Sequence, residues 1–386
     1  MTERILSIQS HVAYGYVGGK AAALPLQCLG YDVDLINTVN FSNHAGYGRS
    51  GGSKTSAEEL ESIFQAMESN GFLLDHSRLL TGYIPNAEAL GAVKTLAEKL
   101  RQKNPGMIYL LDPVMGDAGK LYVSPDVIPV YKSMLSLSTI ITPNWFEVET
   151  LTSIPLTSLS ALQKALTTLH KIYNVPHIAI SSIPLADWLS HSLPSSIRPP
   201  EDPASKNENG NKYLLCITSS SIHQQGAEGV EGNQLPISDV HAQYVPLIPG
   251  YFSGVGDLFS ALVLGHYLPF SSSSSSTSTS ASASASSPSQ SPLTNAVSQA
   301  LSKTHFILLR TFSHSQSLPE EERQITDDEK DRKDPMRKIK RMRGRELRLV
   351  QSIDVIRGDR GGEEGEGKHH HHRDMLPWTG FWENKA

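Results

Sequence analysis

Short apolar runs alternate with segments of helical period along most of this chain, and that alternation fixes what it can fold into. Ile5-Leu6-Ser7-Ile8, Asp32-Val33-Asp34-Leu35-Ile36-Asn37 and residues 78–83, 107–112, 139–141 and 177–182 read as strands. Residues 56–70, 86–103 and 158–173 read as helices between them. A strand followed by a helix and another strand returns parallel to the first, with helices covering both faces of the sheet. The expectation is an α/β fold: a doubly wound, mostly parallel sheet flanked by helices. Strands at 213–218 and 241–246 and a helix over 293–312 would complete it. In such sheets ligands gather at the carboxyl ends of the strands.

The stretch Gly250-Tyr251-Phe252-Ser253-Gly254-Val255-Gly256-Asp257-Leu258-Phe259 stands out. Its glycines let the backbone turn tightly and approach a ligand, and the apolar run after it reads as a buried helix starting at Asp257. A glycine turn feeding a helix start aims unpaired N–H groups at one point, which makes an anion site. Asp257 beside that anion is either a helix cap or a base that takes a proton from an attacking hydroxyl. An anion cradle next to a base is what phosphoryl transfer needs.

Other candidates sit at predicted strand ends. Ser10 ends the first strand, as a ligand contact or as a turn residue. Asp112 and Asp117 follow the strand at 107–112 and suit a hydrated magnesium ion near phosphates, or two ordinary turns. Ala118 to Val123 is a connector able to hinge over a nucleotide. Asn144 and Glu147, three apart, share one face of a first helical turn. They hold water around a metal, or they form a capping box. The polar loop Asn40–Gly48 suits a lid or a pocket wall, and His44 alone reads as structural. Two glycine motifs are rejected. Gly15-Tyr16-Val17-Gly18-Gly19-Lys20 lacks the Walker A pattern, because Tyr14 precedes it and Ala21 follows the lysine. Residues 46–51 match a dinucleotide fingerprint but have no strand before them.

A net charge of −5 over 386 residues gives no reason to expect nucleic acid or an anionic membrane as partner. Cys28 and Cys216 lie in apolar runs and read as buried free thiols, which fits a reducing compartment. The first strand is expected to begin at once, and the sequence reads as having no signal peptide and no apolar run long enough to span a membrane. The expected location is cytoplasmic, with the nucleus also open. Residues 184–212 read as a flexible loop, and the Ser/Thr/Ala run 271–287 as a disordered low-complexity insert. Residues 314–345 read as a charged, solvated linker, 346–351 as a late strand, and His369–His372 as part of a low-complexity tail or a weak metal-binding run.

Six stretches in order resemble the pyridoxal kinases. They are Ser7-Ile8-Gln9-Ser10-His11-Val12 with Gly15-Tyr16-Val17-Gly18, Phe41-Ser42-Asn43-His44, Leu80-Thr81-Gly82-Tyr83, Asp112-Pro113-Val114, Thr142-Pro143-Asn144-Trp145-Phe146-Glu147 and Gly254-Val255-Gly256-Asp257-Leu258-Phe259. Arg345 to Gln351 resembles the family's C-terminal strand. The resemblance implies a ribokinase-like fold, usually a homodimer. It implies ATP-dependent phosphorylation of the 5′-hydroxymethyl group of pyridoxal, pyridoxine and pyridoxamine, with Mg2+ and often K+. By that resemblance Asp257 is the base, and the backbone of Gly254, Val255 and Gly256 stabilises the transferring phosphoryl group. Ser10, Val17, His44, Ala45 and Tyr83 fall in the pyridine pocket. Asp117, Tyr122, Thr142, Asn144, Ser181 and Ser182 fall on the nucleotide side, and Asp112, Asp117 and Glu147 on the metal side.

Some positions depart from the family pattern. Val255 stands for a common Thr, Ala45 for a hydroxyl residue, Gly19 for Asn and Ser181 for Thr, and the connector at 118–121 is shorter than in animal members. The expected organisation is a kinase domain over 1–313 with inserts at 184–212 and 271–292. A linker at 314–345, a returning strand at 346–356 and a flexible tail at 357–386 follow. Two rivals remain: a related kinase acting on a hydroxymethylpyrimidine or a sugar, and a catalytically weak B6-binding regulatory protein.

Overall fold

The computed structural model describes residues 3–200, 213–222, 236–269, 291–359 and 374–383. The first half runs β1 (Arg4–Val12), α1 (Gly19–Cys28), β2 (Asp32–Phe41), β3 (Gly52–Lys54), α2 (Ala57–Ser69), β4 (His76–Thr81), α3 (Ala87–Lys103), β5 (Ile108–Leu111), β6 (Gly116–Asp117) and β7 (Lys120–Leu121). It continues through α4 (Val127–Met134), β8 (Ile140–Ile141), α5 (Trp145–Thr152), α6 (Leu159–Thr167), β9 (His177–Pro184), α7 (Asp187–Ser192), β10 (Tyr213–Ser221), β11 (Ser238–Pro246) and α8 (Val255–His266). The C-terminal part adds α9 (Pro292–Ser317), α10 (Glu320–Arg323), α11 (Asp328–Lys333), α12 (Pro335–Arg343), α13 (Ile353–Arg357) and β12 (Leu376–Pro377).

Among the described residues the strands form one ten-stranded sheet in the order β12-β11-β10-β9-β8-β5-β4-β1-β2-β3, with β6 and β7 as a separate hairpin. The central strands β2, β1, β4, β5, β8 and β9 are parallel. The edges β3 and β10 to β12 are antiparallel. This is the doubly wound sheet that the alternation predicts.

Successive strand residues feed two separate cores. Leu6, Leu79, Leu111 and Ile141 pack with α2 to α6 on one face. Ile5, Leu80, Leu110 and Ile140 pack with α1, α8 and α9 on the other. Neighbouring side chains on a strand point to opposite faces, so a sheet covered on both sides needs unbroken apolar runs. Helix starts are set by side chains that accept an otherwise unpaired N–H: Ser56 from Glu59, Asn86 from Ala89, Ser158 from Ala161, and Ser291 from Thr294 ahead of Pro292.

One buried arginine fixes the far end of α8. Arg78, 1% exposed, donates from Nη1 to the Leu264 and Tyr267 carbonyls at 2.8 Å each. Its Nε reaches Glu3 at 2.7 Å, and its guanidinium lies over the Tyr31 ring. The charge meets the orphan carbonyls of the helix C-terminus and so stays buried without a bare desolvation penalty.

Four expectations about the periphery need correction. Residues 314–345 are not a loose linker. They complete α9 and form α10, α11 and α12, because their charges pair internally: the buried Arg341 and the half-buried Arg337 both bind Asp331. The stretch 346–356 contains no strand; it holds a 3-10 turn at Val350–Ser352 and α13, with Leu347 and Leu349 buried against α8 and α9. Residues 374–383 are not a free tail. Leu376–Pro377 pairs with β11, Met375 and Phe381 are buried, and the Trp382 indole donates to the Ser238 carbonyl at 2.8 Å. Residues 184–200 include α7 rather than loop alone. The Ser/Thr/Ala run, residues 201–212 and His369–His372 lie outside the described residues.

Candidate active site

The glycine turn does what its sequence requires. Gly254 is the N-cap of α8 with φ +80°, and a Cβ there would lie 2.0 Å from the Tyr16 carbonyl oxygen. Only glycine permits that approach. α8 begins at Val255, two residues before the expected start, so Val255, Gly256 and Asp257 form its first turn. Their N–H groups are the unpaired donors of a helix start. A Cβ at Gly256 meets nothing within 4 Å, so open space lies there.

Asp257 Oδ2 accepts the Gly18 N–H at 2.8 Å, which ties α8 to the loop after β1. Burial raises the Asp257 pKa, and the Gly18 hydrogen bond opposes the rise. One turn further along α8, Ser260 donates to Asp112 Oδ2 at 2.9 Å. Its oxygen also meets Thr142 Oγ1 at 2.8 Å. Ser260 has one proton and gives it to Asp112, so Thr142 is the donor of the second bond. This chain links the ends of β5 and β8 to α8. Asp112 is pushed above the usual carboxylate range by burial first and then by the Asp257 charge.

Asn144 and Glu147 form the capping box: Asn144 Oδ1 accepts the Glu147 N–H at 3.0 Å, and Glu147 Oε2 accepts the Asn144 N–H at 2.9 Å. The Glu147 Oε1 accepts the Met115 N–H at 2.9 Å, and the Asn144 amide donates to the Gly116 carbonyl at 2.8 Å. The pair therefore braces the loop after Asp112. Glu147 is buried, and burial and then Asp112 raise its pKa strongly.

The expected carboxylate trio does not assemble. Asp112 and Glu147 lie close enough to perturb each other, but Asp117 is exposed and accepts the Ala118 N–H at 2.7 Å. Among the described residues no group of three His, Cys, Asp or Glu side chains gathers around one point. Two buried carboxyl groups near each other still suit a divalent cation, which would hold both ionised, since magnesium takes one or two carboxylates and completes its shell with water and phosphate oxygens.

The second wall of the site comes from the loops after β1 and β2. Ser10 is buried, and a Cβ at Gly18 would strike its backbone and hydroxyl. Val17 lies against Gly254. Tyr83 follows β4, and its carbonyl accepts the Thr38 hydroxyl at 2.7 Å. His44 is buried and Ala45 exposed beside it. Tyr122 stands at the rim; burial of its hydroxyl and then the Glu147, Asp112 and Asp257 charges hold it protonated. The Ser181 N–H donates to the Pro143 carbonyl at 3.0 Å beside Thr142, and Ser182 follows on β9.

Two contributors escaped the sequence reading. Ser260 was hidden in an apolar helix, although its place three residues after Asp257 puts both on one face. Glu346 lay in a stretch read as a strand. Its Oε1 accepts from His44 Nε2 at 3.0 Å and from the Tyr47 hydroxyl at 2.7 Å, and its Oε2 accepts the Tyr16 N–H at 2.9 Å.

Comparisons with known proteins decide the family. The pyridoxal kinase of Arabidopsis thaliana is 38% identical over 265 residues, covering 68% of this chain and 74% of its own. The chain belongs to the pyridoxal kinase family. The Homo sapiens pyridoxal kinase is 34% identical over 267 residues, 68% of this chain and 76% of its own. A family model described as phosphomethylpyrimidine kinase matches residues 56–190. A solved pyridoxal kinase from Leishmania donovani, in complex with ADP and pyridoxamine, superimposes with a TM-score of 0.68 at 26% identity. It covers 97% of this chain and 99% of its own. The expected fold, ribokinase-like in its doubly wound sheet, agrees with these neighbours. No helix among the described residues is long and apolar enough to cross a membrane.

Proposed function

We propose that this protein transfers the γ-phosphoryl group of ATP to the 5′-hydroxymethyl group of pyridoxal, pyridoxine and pyridoxamine. The observation that carries this reading is Asp257, a partly desolvated carboxylate held by the Gly18 N–H in the first turn of α8. The family membership and the neighbours titled with ADP and B6 vitamers support it.

In this reading Asp257 takes the proton of the 5′-hydroxyl. The hydroxyl oxygen attacks the γ-phosphorus, the bond to the β-phosphate oxygen breaks, and ADP leaves with its electron pair. Burial raises the Asp257 pKa and makes the carboxylate a stronger base. The N–H groups of Val255, Gly256 and Asp257 stabilise charge on the transferring group, with no reorganisation at the moment of reaction. Ser10, Val17, His44, Ala45 and Tyr83 form the vitamin side. Thr142, Asn144, Tyr122, Ser181, Ser182 and the exposed Asp117 line the nucleotide side. A bound Mg2+ would neutralise phosphate charge, with Asp112 and Glu147 as the carboxylates that hold its shell.

The rival readings have less behind them. The phosphomethylpyrimidine kinase match ends at residue 190 and begins at 56, so it includes neither Ser10 and His44 nor Asp257. A binding protein has no use for a base beside a helix N-terminus. A homodimer and a cytoplasmic location belong to the same proposal; sedimentation velocity tests the first. The substrate test is phosphorylation with ATP of pyridoxal, a hydroxymethylpyrimidine and a pentose in parallel. Preference for pyridoxal is expected, and preference for either other substrate overturns the assignment.

A further inference from the structure

We propose that Glu346 is a positioning residue for the vitamin side of the site, so that the C-terminal segment after α12 completes the pocket. The inference rests on the B6 reading and extends it to Glu346, which lies in the C-terminal stretch that resembles the family but was not among the expected site residues. One carboxylate binds groups on both the loop after β1 and the loop after β2. Its Oε2 holds the Tyr16 N–H, next to Val17. Its Oε1 holds His44 Nε2 and the Tyr47 hydroxyl, on either side of Ala45.

The network runs on through His44. His44 Nδ1 accepts the Gly46 N–H at 3.2 Å, so the ring proton sits on Nε2 and points at Glu346. The same Nδ1 lies 3.2 Å from the hydroxyl of Ser253, the residue before the N-cap of α8. Glu346 thus fixes the orientation of the His44 ring. Its carboxylate is close-packed from the other side too: a Cβ at Gly15 would sit 2.6 Å from both its oxygens. The hydrogen bonds from His44 and Tyr47 keep it ionised despite burial, so it stays an acceptor for all three donors.

A carboxylate that accepts three hydrogen bonds and touches no reacting atom acts through the groups it holds. Its loss should therefore loosen the vitamin and leave the nucleotide and the chemistry nearly intact. The experiment is steady-state kinetics on the full chain for wild type, Glu346→Gln, Tyr47→Phe and the double variant, with thermal unfolding of each. Tyr47→Phe removes one hydroxyl and keeps the ring, so it reports even where Glu346→Gln folds poorly. We expect the KM for pyridoxal to rise about tenfold in Glu346→Gln, the effect of losing a charge-assisted hydrogen bond. The KM for ATP and kcat should change less than about threefold, and the double variant should lose less than the product of the two single losses.

Equal changes in both KM values, a fall in kcat at unchanged pyridoxal KM, or single losses that multiply in full would each overturn the proposal. Wild-type protein that fails to phosphorylate pyridoxal would instead sink the functional reading on which it rests.

Discussion

Replacing Gly254 with alanine tests the geometry of the anion site directly. The new Cβ would lie 2.0 Å from the Tyr16 carbonyl oxygen and 3.3 Å from Val17 Cα, whereas real Cβ contacts stop near 3.0 Å. The backbone must therefore open by about 3.0 − 2.0 = 1.0 Å between α8 and the loop after β1. That opening moves the first turn of α8 away from the position its N–H groups occupy now. A misplacement of ~1 Å at a reacting centre costs about 100-fold in rate. The left-handed conformation itself adds ~1–2 kcal/mol for a non-glycine residue. Turnover of pyridoxal at saturating ATP should fall about 100-fold, and Tm should fall with it.

Gly256→Ala is the matched control. Gly256 is helical and its Cβ meets nothing within 4 Å, so the helix should gain up to ~1 kcal/mol and Tm should hold or rise. In the proposed site the added methyl would crowd the phosphates, so activity should be lost there through a raised KM for ATP. Wild-type turnover in Gly254→Ala, or equal Tm changes in the two variants, would refute the reasoning.

Other consequences follow from the buried polar groups. Ser260→Ala removes the hydroxyl donor of a buried carboxylate and should destabilise the protein by ~1–3 kcal/mol, measured by urea unfolding. The acid limb of kcat/KM for pyridoxal should lie above the ordinary aspartate range, since burial raises Asp257 and the base works only when ionised. Activity should then fall as pH drops through that raised value, and a limb at the ordinary aspartate pKa would contradict the buried base. Asp112 also has a folded pKa above its unfolded one, so native stability is greatest where it is protonated and declines as pH rises past 3.8 toward the raised value. Asp112→Asn should therefore gain Tm relative to wild type as pH increases, while losing activity; a gain that shrinks with pH would reverse the argument.

How much of this was legible in the sequence depends on the range of each interaction. The sheet was readable because unbroken apolar runs such as Leu79-Leu80 and Ile140-Ile141 serve two cores at once. The glycine turn and the Asn144–Glu147 box were readable because their partners lie within a few residues. Glu346 was not, since its partners Tyr16, His44 and Tyr47 are about 300 residues away in the chain and no local pattern marks them. The charged stretch 314–345 was misread for a related reason. Composition registers the charges of Asp331, Arg337 and Arg341 but not that the two arginines share one carboxylate. The metal trio failed because spacing in the chain does not say which way Asp117 faces once β6 turns into β7.

The central claim is that Asp257 is the base of a B6 kinase. It is tested most directly by comparing wild type and Asp257→Ala for ATP-dependent pyridoxal phosphorylation, with pyridoxal binding measured alongside by calorimetry. The account predicts that the variant still binds pyridoxal and loses at least ~100-fold in turnover. Near-normal turnover in a variant that binds as well as wild type would contradict it.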